Sequence, residues 1–350
     1  MAQKRIGYID AMRGFTMVLV VYSHICSMCF GDAWMGWNDV FFLFRLPCFF
    51  FISGWLFEKI GRQWDGDTIC QTVKHKFMLQ IVPTVVFLLI LAPPPLFFSR
   101  LGATKGGYWF TFLLFIFFVL HIFLSWLTMK ISARKQEAVM LLIAILISVA
   151  SCFYEANYLR LFSQMGWGTD ILGFLSFRFW RFYLYFYIGT LVKRHFDIFI
   201  QWTNKLWLMV LIVIGFVAIA IRPHYDDAIT QYFIFSIGGI LGMTTIFTLF
   251  RCLYTSPLLS PYSSIFHHPS SILKFVGTRT LDIYLLHYFF LPRSLQSYAD
   301  QLQAYDSKLI ESLVAMSLAL VVVTICLLVS YIIRLSPFFG HYLFGVKYNE

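Results

Sequence analysis

An arginine and a histidine share the first apolar run of this chain, which reads Asp10-Ala-Met-Arg13-Gly14 and then continues to Ser23-His24. Arg13 and His24 are eleven residues apart. On an α-helix that spacing is three turns plus about 20°, so both side chains share one face, about 16 Å apart along the axis. An ionisable group within a bilayer costs at least about 2.5–3.5 kcal/mol, so each one calls for a partner or a function. A guanidinium near the membrane surface attracts anions, and an imidazole set deeper can move a proton at neutral pH. Two readings follow. In one, Arg13 and His24 form a track from a cationic mouth to an acid–base group. In the other, Arg13 is a surface anchor and His24 a hydrogen-bonded structural residue. Asp10 suits either, as an N-cap or as an i,i+3 partner of Arg13.

A second imidazole is expected at similar depth. Thr280-Leu-Asp282-Ile-Tyr284-Leu-Leu-His287 enters a later apolar run, and helical rise puts His287 about 14 Å in from Thr278. Asp282 and His287 are about 140° apart around a helix and do not share a face. Arg178 and Arg181 fall in another run, on neighbouring helix faces, where planar guanidinium forks suit a phosphate or carboxylate. The competing reading pairs them with carboxylates on adjacent helices, of which the apolar runs hold few. Arg45 is a further cation, in the outer half of the second run.

The elements that carry these residues are set by composition. Hydrophobic residues make up 59% of the chain and charged residues 13%, where soluble domains average roughly 45–50% and about 25%. With a mean hydropathy of +0.74, the chain cannot cover itself with water-compatible surface, so its solvent is lipid. Its 40 Phe, 19 Tyr and 10 Trp suit the hydrocarbon and its borders. Ten apolar runs are legible, at 11–30, 40–57, 77–98, 108–129, 138–154, 171–192, 206–221, 232–250, 281–297 and 313–333. The sixth is the most polar, since it carries Arg178 and Arg181.

The fold class expected is all-α: a polytopic transmembrane bundle of about ten helices, forming one integral membrane domain over 1–350 with no appended soluble domain. The net charge of +10 invites a nucleic-acid reading, but the basic residues occupy short loops between runs. Lys4, Arg5, Lys59, Arg62, Lys130, Arg134, Lys135, Lys193 and Arg194 fall in alternate loops. Arg100, Lys105, Arg160, Arg222 and Lys308 form the smaller opposing set. That bias orients the chain with both ends in the cytoplasm. No metal site is expected, because Cys26-Ser-Met-Cys29 has no second ligand pair.

The same residues resemble a known family. Asp10-Ala-Met-Arg13-Gly14 followed by His24 is similar to the first-helix signature of acyltransferase family 3, polytopic bacterial membrane acyltransferases acting on surface glycans. Pro47-Cys-Phe-Phe-Phe51-Ile-Ser53-Gly54, Trp109-Phe110, Phe186-Tyr-Ile-Gly189 and Thr280–His287 resemble later family elements in the right order. The resemblance implies transfer of an acyl group, by family default acetyl, from cytoplasmic acyl-CoA to a hydroxyl of an extracytoplasmic or lipid-linked glycan. The implied setting is the bacterial inner (cytoplasmic) membrane, with acetyl-CoA as co-substrate and no permanently bound cofactor.

Carried onto matching positions, His24 is the catalytic imidazole, acting as general base or carrying the acyl group, and Arg13 its partner or a donor contact. Arg13, Arg178 and Arg181 would meet the CoA phosphates, while Arg45, Ser53, Trp109, Tyr284 and His287 would line the acceptor side. The chain departs from the pattern at Arg45, where relatives often carry His; a guanidinium cannot act as a base there, which points to a different acceptor such as an acidic sugar. Two other classes would explain buried Arg and His: a transporter or flippase for an anionic or sugar substrate, and a catalytically inert scaffold of the same fold. Only an acyltransferase must consume acyl-CoA.

Overall fold

The computed structural model describes residues 6–32, 35–91, 107–157, 174–222, 227–255 and 263–345, and among them every regular element is helical. In chain order these are α1 (Gly7–His24), a π-helical turn (Ile25–Cys29), α2 (Asn38–Phe57), α3 (Gly66–Lys76), a second π-turn (Phe77–Ile81), α4 (Val82–Leu91), α5 (Trp109–Leu127) and α6 (Ala133–Ala156). A 3-10 segment (Phe177–Phe182) then leads into α7 (Tyr183–Arg194), α8 (Phe196–Thr203), α9 (Leu206–Ala220), α10 (Ala228–Thr255), α11 (Ser263–Thr278) and α12 (Thr280–Phe290). A further 3-10 turn (Arg293–Tyr298) precedes α13 (Ala299–Gln303), α14 (Lys308–Arg334) and α15 (Pro337–Phe344).

Local chemistry sets several of these boundaries. The Asp65 carboxylate accepts from the Thr68 amide at 2.7 Å and caps α3, and the hydrogen bonds from Thr68 hold its carboxyl below the ordinary value. Ser307 and Ser336 cap α14 and α15 in the same way, and α15 ends on Gly345 in the left-handed region at φ 62°.

Among the described residues, seven helices are long and apolar enough to cross a membrane: Gly7–Cys29, Asn38–Phe57, Gly66–Leu91, Trp109–Leu127, Ala133–Ala156, Ile229–Thr255 and Lys308–Arg334. α8 and α9 meet at an 82° bend and make an eighth if taken together. The other two expected spans are broken. In the run 171–192, whose first three residues lie outside those described, Ser176 turns left-handed (φ 55°) and Phe177–Phe182 winds as a 3-10 helix. The break is tolerable because a neighbouring side chain satisfies the freed backbone. Ser151 of α6 donates to the Phe177 and Arg178 carbonyls and accepts from the Arg181 amide. In the run 281–297, α12 stops at Phe290, since Leu291 is extended ahead of Pro292.

Two compact units emerge, each assembled from separated segments. Unit one comprises Met1–Phe49, Ile200–Pro223 and Ile237–Leu335; unit two comprises Phe50–Phe199, His224–Ser236 and Ser336–Glu350. In unit one, α1 is an enclosed element: 72% of its span is buried, against 28% for α14. No residue of α9 is buried, and a helix that is apolar all round and exposed in the protein belongs against lipid. In unit two, Gly54 and Gly189 let α2 and α7 touch backbone to backbone. A Cβ on Gly54 would sit 1.9 Å from the Phe186 carbonyl oxygen, and one on Gly189 2.1 Å from that of Phe51.

Candidate active site

α1 is held where two glycines meet. A Cβ on Gly14 would lie 2.0 Å from the Leu273 carbonyl oxygen of α11, and one on Gly277 1.8 Å from that of Asp10. Gly14 of the Arg13-Gly14 pair is therefore a packing residue, and its neighbour Arg13, half-buried, rides on the same crossing. α1 runs unbroken from Gly7 to His24, so the shared face of Arg13 and His24 survives in the fold. Immediately after His24 the helix widens into the π-turn Ile25–Cys29. Such turns insert an extra residue into the helical register and recur at functional sites.

α12 brings the second imidazole to the first. The rings of His24 and His287 stack with centroids 5.1 Å apart and planes 29° apart. Tyr288 closes the group: its hydroxyl lies 3.2 Å from His24 Nε2, and its ring is centred 4.0 Å from that of His287. His287 is fully buried. Its Nδ1 lies 3.1 Å from the Ile283 carbonyl one turn back. A carbonyl only accepts, so a neutral ring carries its proton on Nδ1 and leaves the Nε2 lone pair free. Nε2 is buried and has no hydrogen-bond partner. Tyr284, also buried, has its ring 5.9 Å from His287.

α12 is in turn pinned to α14. Asp282 is paired bidentately by Arg334, Nε to Oδ2 at 2.8 Å and Nη2 to Oδ1 at 2.9 Å, and also accepts from Ser330. Neither partner was singled out in the sequence. The signal was present, since a carboxylate inside an apolar run demands a cation, and Arg334 directly follows the last run.

Arg45 stands on the same unit, 7% exposed, and its Nη1 donates to Asn38 Oδ1 at 2.8 Å. The turn that precedes α2 is anchored to the start of α14: the Gly36 amide donates to Glu311 Oε2 at 2.7 Å and the Trp37 amide to Ser312 Oγ at 3.0 Å.

The remaining candidates lie in unit two. Arg178 has found a carboxylate, Glu155, with Nη2 to Oε1 at 2.5 Å, and Tyr232 donates to the same oxygen. Arg181 donates to the Arg178 carbonyl and lies over the rings of Phe182 and Tyr232. Trp109, opening α5, stacks on Phe179 between the two arginines at 4.0 Å. Ser53 is half-buried on α2. Sequence reasoning also missed a polar knot. Glu58 takes Arg194 Nε at 3.0 Å and Nη2 at 3.1 Å, Glu137 lies 3.6 Å from Arg194 Nη1, and His121 Nε2 is 4.0 Å from Glu58. Glu58, Glu137 and Arg194 border a cavity of about 690 Å³ rimmed by Lys59, Arg62, Trp64 and Trp126. Burial holds the Arg62 guanidinium below its ordinary value, opposed by the Glu58 charge.

A family model described as an acyltransferase domain matches residues 6–335, nearly the whole chain. The chain belongs to acyltransferase family 3. No curated protein and no solved structure matches it. Family membership and the long apolar helices together make it a multi-pass membrane acyltransferase.

Proposed function

We propose that the protein moves an acyl group, acetyl in our reading, from cytoplasmic acyl-CoA to a hydroxyl of an extracytoplasmic or lipid-linked glycan, with His24 as general base. The observation that carries this reading is the Tyr288 hydroxyl 3.2 Å from His24 Nε2 beside the stacked His287. A base must approach the hydroxyl it deprotonates to about 2.6–3.2 Å, and an acceptor hydroxyl taking the phenol's place would meet that distance. His24 accepts the acceptor's proton as its oxygen bonds to the thioester carbonyl. The C–S bond then breaks, and the proton passes to the departing thiolate, giving the sugar ester and free CoA. His287 and Tyr288 hold the His24 ring and its hydrogen bonding.

Arg13 is the cation we assign to the donor side. Arg178 is neutralised by Glu155, which makes it a poorer contact for donor phosphates than an unpaired guanidinium would be. The protein is placed in this reading in a bacterial inner membrane with both ends cytoplasmic. The test is label transfer from radiolabelled acetyl-CoA in membrane vesicles. Loss of glycan label in His24→Ala and Arg13→Ala at normal protein levels is expected. Unchanged transfer by His24→Ala would overturn the mechanism, and a wild type that consumes no acetyl-CoA would return the case to a transporter.

A further inference from the structure

Among the described residues, Arg45 is a buried cation without a counter-charge. It makes one hydrogen bond, to the neutral amide oxygen of Asn38, and lies 5.0 Å from the centre of the Phe42 ring. No carboxylate among the described residues pairs with it. Three other arginines differ: Arg178 has Glu155, Arg194 has Glu58 and Glu137, and Arg334 has Asp282. Arg181 lies over Tyr232, whose hydroxyl donates to Glu155. A guanidinium carries five N–H donors, so most of those on Arg45 have no acceptor among the described residues. Tyr22 and Cys26, polar side chains of the same unit, are neutral, and both are already bonded, to Ser312 and to the Met35 carbonyl.

A buried charge that the fold leaves uncompensated is paid for only if something else supplies the opposite sign. We propose that Arg45 binds an anionic group on the acceptor, so that the protein selects a carboxylate- or phosphate-bearing sugar over a neutral one. This rests on the acyltransferase reading and narrows it to an acceptor class. The guanidinium fork takes two oxygens of the anion in a planar bidentate contact. Arg45 and His24 belong to the same compact unit, so in this proposal one sugar presents its anionic group to the first and the hydroxyl to be acylated to the second.

The experiment uses the full-length protein in proteoliposomes with radiolabelled acetyl-CoA and three matched acceptors: methyl glucoside, methyl glucuronide and methyl glucoside 6-phosphate. Binding of each sugar is followed separately by thermal stability, so the result does not depend on turnover. Wild type is expected to favour a charged acceptor by about tenfold or more, as for a hydrogen bond to an ion. The two charged sugars distinguish carboxylate from phosphate. Arg45→Gln should level that preference in both transfer and binding, while Arg45→Lys retains part of it.

Equal use and equal binding of the neutral glucoside by wild type would overturn the proposal. So would an Arg45→Gln variant that slows transfer to all acceptors, and hydrolysis by water, in the same proportion, since Arg45 would then serve the reacting carbonyl. If wild type consumes no acetyl-CoA at all, the acyltransfer reading fails, and the binding arm still decides whether Arg45 recognises an anion.

Discussion

His287 donates from Nδ1 to the Ile283 carbonyl, and that single bond separates its structural duty from its chemical one. Asparagine can keep the donor near the Nδ1 position while removing the Nε2 lone pair. We expect His287→Asn to fold and to lose transfer by about 10²-fold or more if that lone pair takes part in proton movement. Tyr288→Phe keeps the ring against His287 and removes only the hydroxyl, so a smaller loss is expected, read from initial rates in vesicles. The Asp282–Arg334 pair has a different role, because neither group touches the imidazoles in any described contact. Asp282→Asn leaves Arg334 without its anion and should destabilise the protein. The effect should fall at the low end of about 3–5 kcal/mol, because Arg334 keeps a fifth of its side chain exposed. Lower thermal stability in detergent would check this, and Arg334→Met in the Asp282→Asn background should recover part of the loss.

At the level of elements, the Gly14–Gly277 crossing fixes where α1 can lie. Gly14→Ala or Gly277→Ala forces backbone against a new methyl and should cost about 1–3 kcal/mol or more. Gly66→Ala is the control: a Cβ there meets nothing within 4 Å, so it should be neutral or stabilise by about 0.4–1 kcal/mol. Both sets are read from melting curves. Helix-scale features explain what the sequence made legible. The shared face of Arg13 and His24 depends only on an unbroken α1, and the common depth of His24 and His287 only on helical rise. What stayed hidden depended on contacts across long separations. Glu155 is 23 residues from Arg178, and nothing local to Arg178 announces it. The two spans that break do so for reasons of detail, an extended Leu291 before Pro292 and a left-handed Ser176 supported by Ser151, which apolar run length cannot register.

For the molecule as a whole, orientation in the bilayer is testable through its free cysteines. Cys70 and Cys252 are exposed, and the other five, Cys26, Cys29, Cys48, Cys152 and Cys326, are buried. With the N-terminus cytoplasmic, an impermeant maleimide should label Cys70 in inside-out vesicles and not in right-side-out ones; the reverse would invert the topology. α9 carries a further consequence. Its 15 residues rise about 22 Å, short of a hydrocarbon core about 30 Å thick, and its lipid-facing surface is bounded by Lys205 and Arg222. Lipid beside it must thin or the flanking cations must reach outward. The protein should therefore work best among shorter acyl tails and drift toward thin regions of a mixed membrane, so that bilayer thickness itself becomes a determinant of where the enzyme gathers.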